Sequence, residues 1–264
     1  MHPIFRLIRL AWTVLAHTFY LSYRVRRLPP GKRAVFRAHR QRVGCAALCQ
    51  VLGIRVAVEG SKPADGAMLA VCNHFGVLDP LVVASQFPAA FVGKSELANW
   101  PAIGWVTRTF GVIFVDRSRR IRTSAFVEEV QSILRRGIRV VVFPEGTTFT
   151  GPEVHPFKTG AFEAVAGLQD GYVLPLYLAV VDADGNPASR AVRERVTWTD
   201  NSQTFVHNVA GLLRLGRVYM RVCVGEPIST DGLDRKELAA RAHAAVAELG
   251  RPYVTAEGES ATYL

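Results

Sequence analysis

Leu69-Ala70-Val71-Cys72-Asn73-His74-Phe75-Gly76-Val77-Leu78-Asp79-Pro80 sets the reading of the whole chain. A short apolar run, Met68–Cys72, reads as a strand. It stops at a loop carrying a histidine, a glycine and an aspartate, and a helical stretch follows from Leu81 to Gln86. The same succession recurs on both sides. Ile54–Val58, Val112–Val115, Arg139–Phe143, Val173–Val181 and Arg217–Val224 read as strands. Asn99–Phe110, Thr123–Arg136, Phe162–Leu168 and Leu238–Leu249 read as helices, the second of these four capped by Thr123 or Ser124 and the last ending at Gly250, a usual C′ residue. Alternation of this kind predicts an α/β fold: a mixed, largely parallel sheet covered by helices on both faces. In such sheets chemistry gathers where strands end and loops begin.

Three strand ends carry reactive side chains. After the first strand quoted, His74 is a candidate general base, because its pKa lies near the working pH, and a carboxylate on its other ring nitrogen would fix the tautomer. An ideal helix would set His74 and Asp79 about 140° apart, so they meet only if a turn intervenes, and Gly76 offers one. By itself, a histidine five residues before an aspartate is a common pattern. Gly111-Val112-Ile113-Phe114-Val115-Asp116-Arg117 delivers a guanidinium at a strand end, suited to a phosphate or to pairing with a neighbour. Val142-Phe143-Pro144-Glu145-Gly146-Thr147-Thr148 presents a carboxylate, a bare backbone and two hydroxyls, with Lys158 following before a helix. Gly93-Lys94-Ser95 is no phosphate loop, because Pro88 stands where the earlier glycine is required. No Gly-x-Ser-x-Gly elbow is present, which argues against a serine acyl-enzyme.

The charge is unevenly placed. The 264 residues carry a net charge of +10. Residues 1–58 hold 11 basic residues and no acidic one, leaving 21 basic against 22 acidic residues in the rest. A nucleic-acid enzyme spreads its basic residues over a binding face, whereas one acid-free end points to an anionic surface. Residues 4–27 read as a helix in which Arg6, Arg9, Thr13, His17, Tyr20, Arg24 and Arg27 form one polar stripe and Ile, Leu, Phe and Trp residues cover the rest. The uncharged run Leu10–Tyr23 is 14 residues, short of the roughly 20 that span a bilayer, so the helix is expected to lie in the interface, arginines on its polar side and its Trp/Phe/Leu face in the lipid. His17 and the lack of a small-residue cleavage site argue against a signal peptide. Leu28-Pro29-Pro30-Gly31 breaks the chain before a second helix over 32–52. The expected organisation is a two-helix membrane-docking element, 1–53, and a catalytic domain, 54–264, in a monotopic protein on the cytoplasmic face of the cell membrane. Cys45, Cys49, Cys72 and Cys223 suit a reducing compartment as core residues, and no Cys-x-x-Cys or His-Glu-x-x-His supports a metal.

Taken in order, the motifs form one pattern. Asn73-His74-x-x-x-x-Asp79, Lys94-x-Glu96-Leu97 with Pro101 and Gly104, Gly111-x-x-Phe114-Val115-Asp116-Arg117, Phe143-Pro144-Glu145-Gly146-Thr147 and a strand containing Pro175 follow one another. Over roughly residues 55–180 this resembles the 1-acylglycerol-3-phosphate acyltransferase family, the lysophospholipid acyltransferases with the HxxxxD signature. The helix pair resembles the membrane-docking element of bacterial members. The resemblance implies fatty-acyl transfer from acyl-CoA or acyl carrier protein to the free hydroxyl of a lysophospholipid, foremost 1-acylglycerol-3-phosphate, giving phosphatidic acid. It implies that His74 takes the hydroxyl proton and that Asp79 orients it. No cofactor, metal or covalent intermediate is required, because the thioester is already activated. Lys94 and Arg117 would hold the acceptor phosphate, and Glu145, Gly146 and Thr147 would shape its site. One position departs: the family commonly has an arginine where this chain has Thr148. Either Lys158 supplies the charge, or the acceptor is another lysolipid, such as a lyso amino-acid lipid.

Overall fold

The computed structural model describes residues 3–60, 67–115, 124–198 and 205–261. Asp116, Arg117 and Thr123 lie outside the described residues. The chain opens with two long helices, α1 (Pro3–Arg27) and α2 (Pro30–Leu52). Then come β1 (Ile54–Glu59), β2 (Leu69–Cys72), α3 (Leu78–Gln86), β3 (Ala89–Lys94), α4 (Ile103–Phe110), β4 (Ile113–Val115), α5 (Ser124–Leu134) and β5 (Arg139–Val142). The second half holds β6 (Tyr172–Ala183), β7 (Asn186–Pro187), α6 (Arg190–Val196), α7 (Phe205–Arg214), β8 (Val218–Val224), β9 (Ile228–Ser229) and α8 (Arg235–Ala261).

One mixed sheet runs in the order β1-β8-β6-β2-β5-β3-β4, with β7 and β9 paired to β6. The five strands from β6 to β4 are mutually parallel, while β8 lies antiparallel to β6 and parallel to β1. The expected mixed, largely parallel sheet is therefore present. Side chains alternate across it, as a period of two requires. Ala70, Cys72 and Val141 face a core shared with α2, α3, α6 and α7. Leu69, Val71, Val140 and Val142 face a core shared with α5 and α8. Both faces are covered by helices, which is why β2 is apolar at every position and β5 at every position after its buried first residue, Arg139.

Part of the polar stripe of α1, Arg6 and His17, faces the rest of the protein, whereas Arg9, Tyr20, Arg24 and Arg27 are exposed. Arg6 is buried, donating from Nε to the Val51 carbonyl (3.3 Å) and from Nη1 to the carbonyls of Leu213 (2.8 Å) and Leu215. It thereby supplies donors to the open C-terminal carbonyls of α2 and α7. His17 sits against Gly44 of α2, and Arg40 lies over the Tyr20 ring. Ile4, Phe5, Leu7, Ile8, Trp12 and Phe19 are exposed, so the apolar face is the outward one, as expected. By length and composition α1 is also sufficient to cross a membrane. Cys49, Val51 and Leu52 of α2 are buried in the main body.

Several local expectations change. The last helix does not end at Gly250 but continues through Pro252 to Ala261. Glycine is needed there for proximity: a Cβ would stand 2.6 Å from Cε2 of the fully buried Tyr177. The stretch Asn99–Phe110 divides into a 3-10 helix, Ser95–Asn99, and α4, separated at Pro101-Ala102, where Ala102 adopts φ 59°. Thr159–Ala164 is a 3-10 helix where an α-helix over Phe162–Leu168 was expected. β3, α6 and α7 were not anticipated.

Candidate active site

β2 and β5 are sheet neighbours, so the loops leaving their C-terminal ends lie side by side. Asn73 anchors the first loop. Its amide donates to the Leu178 carbonyl (3.0 Å) and accepts from the Leu178 N–H (2.7 Å), extending the β2–β6 ladder by one side chain. His74 then leaves the sheet, and the turn at Gly76 brings the chain back into α3. The helix starts three residues before its expected position, which puts Asp79 in its first turn, where a carboxylate is favoured.

His74 Nδ1 and Asp79 Oδ2 are 2.6 Å apart. The same oxygen accepts the N–H groups of Phe75 (2.5 Å) and Gly76 (2.8 Å). Asp79 is 1% exposed, so three donors surround one buried carboxylate oxygen. With an acceptor fixed at Nδ1, the imidazole carries its proton there and leaves Nε2 as the basic nitrogen. The ring stacks on Phe143 at 4.4 Å. Geometrically, the pair is fit to accept a proton at Nε2 and to stabilise the imidazolium that results.

Glu145 points inward. Its Oε2 accepts the His74 N–H (2.8 Å), its Oε1 accepts the His155 N–H (2.9 Å), and it is 5% exposed. Burial pushes its carboxyl up to about 7, against the opposing effect of the two backbone donors, with Asp79 raising it further. The carboxylate is thus bound to the main chain of the His74 loop instead of lining an open head-group site. Gly146 has φ 77°, and a Cβ there would run into the Lys158 side chain. Lys158 is exposed and is held at the loop by its N–H to the Pro144 carbonyl (2.8 Å). Thr147 is exposed, whereas the Thr148 hydroxyl donates to the Trp198 carbonyl (2.8 Å). Lys94 is exposed at the end of β3, beside Val115 of β4; the segment that follows β4, with Arg117, lies outside the described residues.

The structure therefore brings His74, Asp79, Glu145, Gly146, Thr148 and Lys158 to one end of the sheet. Phe143, Gly146 and Lys158 also line a cavity of about 80 Å³ with Val92, Val115, Phe126 and Val142. Sequence reasoning missed Phe143 as the surface under His74, the backbone-binding role of Glu145, and Trp198. A carboxylate set between Phe143-Pro144 and a glycine was a usable signal for the second, since a buried charge requires donors. Nothing in the sequence pointed to Trp198.

A histidine–carboxylate pair thus stands at the C-terminal edge of a five-stranded parallel platform. The Acyltransferase family model matches residues 54–179. Lyso-ornithine lipid O-acyltransferases of Brucella abortus (strain 2308) and Pseudomonas aeruginosa are 32% and 31% identical over 73% and 91% of this chain, and over 74% and 89% of their own lengths. A 1-acyl-sn-glycerol-3-phosphate acyltransferase of Neisseria gonorrhoeae is 29% identical over 53% of this chain and 54% of its own. The crystal structure of the 1-acyl-sn-glycerophosphate acyltransferase of Thermotoga maritima superposes with a TM-score of 0.64 at 19% identity, covering 94% of this chain and 97% of that one, which shows a common fold. The chain belongs to the lysophospholipid-type acyltransferase family.

Proposed function

We propose that this enzyme transfers a fatty-acyl group from acyl-CoA or acyl carrier protein to the hydroxyl of a lyso-ornithine lipid, with His74 as base and Asp79 as its orienting carboxylate. His74 Nε2 takes the acceptor's hydroxyl proton as that oxygen attacks the thioester carbonyl. The C–S bond then breaks, and the thiolate leaves with the proton from the imidazolium. The 2.6 Å Nδ1–Oδ2 contact is the observation that carries the mechanism. For the acceptor, the supporting observation is Thr148. Ornithine brings amine and carboxylate groups and no phosphate monoester, so a site without the family's arginine suits it. The Thr148 hydroxyl is committed to a backbone carbonyl and offers no cation. The lyso-ornithine relatives also align over more of the chain than the glycerophosphate relative does.

The second reading, 1-acylglycerol-3-phosphate, draws support from the Lys158 ammonium beside Gly146. Residues 1–53 act in either case as the docking element for the 54–264 domain, the exposed apolar face of α1 entering the cytoplasmic leaflet and the acid-free basic surface meeting anionic head groups, each near-surface Lys or Arg contributing about 1 kcal/mol. The test is an acceptor panel with purified full-length protein in anionic vesicles and radiolabelled acyl-CoA. The expected result is a diacyl product from lyso-ornithine lipid at a kcat/KM well above that for 1-acylglycerol-3-phosphate; the reverse order selects the second reading.

A further inference from the structure

The chain leaving α6 crosses both loops of the site. The Trp198 N–H donates to the Phe75 carbonyl (3.1 Å), and the Trp198 carbonyl accepts the Thr148 hydroxyl (2.8 Å). The two loops are themselves joined by the Phe149 N–H to the His74 carbonyl (2.9 Å). One residue earlier, the Thr197 carbonyl accepts from Nδ2 of Asn208 on α7 (3.1 Å). From the middle of α6, Arg193 donates from Nε to the Thr150 carbonyl (2.8 Å). Residues 193–198 thus form a strap stitched to the His74 loop, to the Glu145 loop and to α7, and none of it lies within the 54–179 match.

Two further features fit a strap that must lie close. Gly76 makes room for it: a Cβ there would stand 2.8 Å from the Trp198 nitrogen and 3.3 Å from its Cβ. Asn208 is 5% exposed, and its Oδ1 is buried with no hydrogen-bond partner among the described residues. An orphaned buried acceptor is unfavourable. A leucine or alanine would avoid it, so the Nδ2 bond to the strap is what makes an amide useful at this position.

We propose that the Thr197-Trp198 strap is a specificity-determining element of the acyl-acceptor site, with Thr148 as its latch. Where the resembled family commonly has an arginine, this chain has a short hydroxyl that holds the strap down over the loop that carries His74. A threonine hydroxyl has one donor, and that donor is taken. Acceptor choice therefore runs through the closeness of the strap to Phe75 and Gly76, and a remote residue, Asn208, controls it together with Thr148. The strap narrows the acceptor side to head groups that need no cation from position 148.

This inference rests on the lysolipid acyltransferase reading, so the test has one arm free of turnover. In the first arm, amide hydrogen exchange is followed in the full-length protein. Thr148→Val, an isostere without the hydroxyl, speeds exchange at Trp198 and also at Phe75–Gly76, and Thr148→Ser restores protection. Unchanged exchange in Thr148→Val overturns the latch whatever the acceptor is. In the second arm, kcat/KM is measured for lyso-ornithine lipid and for 1-acylglycerol-3-phosphate. Thr148→Val and Asn208→Ala each move the ratio of the two by about three- to tenfold in the same direction, the size expected from losing one buried hydrogen bond, and Thr148→Ser returns it. A merely structural contact would lower Tm and leave the ratio alone, and that result overturns the specificity role. Wild-type protein that acylates neither lipid refutes the acceptor reading, and the exchange arm still decides the latch.

Discussion

Replacing Glu145 by glutamine separates two readings of the same residue. The carboxylate has two oxygens and two backbone donors, His74 N–H at 2.8 Å and His155 N–H at 2.9 Å. Glutamine keeps one acceptor and turns an amide donor toward the other N–H. One charge-assisted bond, about 1.5–3 kcal/mol, is then lost, and a donor faces a donor. If His74 is the residue released, about 2 kcal/mol of its positioning goes, roughly 30-fold in kcat at 1.36 kcal/mol per decade. KM for the acceptor should move little, because the carboxylate does not reach it. A pH signature accompanies this. The folded protein ionises Glu145 near 7, and the unfolded chain near the ordinary 4.5. Between those values the folded state holds more protons, so stability falls as pH rises, by about 3 kcal/mol in all. Glu145→Gln should flatten that slope in urea unfolding curves taken from pH 4.5 to 7.5. Steady-state acyl transfer on vesicles reads the first part. A variant with normal kcat and a strongly raised acceptor KM would refute the reasoning and return Glu145 to the head-group site.

His74→Ala should lower kcat by about 10²–10⁴ with Tm nearly unchanged, and Asp79→Asn should lose as much or less; normal turnover of the histidine variant would end the base assignment. Gly250→Ala should destabilise by about 1–3 kcal/mol in thermal unfolding despite alanine's better helix propensity, because Tyr177 is fully buried and its hydroxyl is held by the Pro152 carbonyl at 2.7 Å. A gain in Tm would show that the ring can yield. Trp12→Glu together with Ile8→Glu, both on the exposed face of α1, should release the protein from anionic vesicles in sedimentation while leaving its unfolding curve in place; retention on vesicles would remove α1 from the docking role.

The parts of the fold set by local pattern were readable, and the parts set by a neighbour were not. β2 and β5 announce themselves because both faces are buried and their residues, Arg139 apart, are apolar. β3 does not: Ala89-Ala90 is small, Gly93-Lys94 resembles a turn, and only pairing with β5 and β4 makes it a strand. Gly250 looks like a helix end, since the ring that demands a glycine comes from β6, 73 positions away in sequence order. In the site, the histidine and aspartate could be paired once Gly76 was read as a turn. For Glu145 the sequence signalled a buried carboxylate in need of donors but not which ones, because its partners are backbone groups with no sequence identity. Arg6 and Arg9 are equivalent by periodicity, yet Arg6 is buried against helix ends that it caps and Arg9 is exposed.

That contact has a consequence for how the protein is made. Arg6 binds carbonyls 207 and 209 residues further along the chain. The seat for the first turn of α1 is therefore incomplete until nearly the whole polypeptide has been synthesised. At about 5–20 residues per second, this leaves an exposed amphipathic helix waiting on the order of 10–40 s beside the ribosome. During that interval its Trp12 and Phe19 face has no folded body to lean on, and a lipid surface is the first partner within reach. On the docking reading proposed above, membrane encounter precedes folding, and the sheet assembles beneath a helix that has already chosen its side.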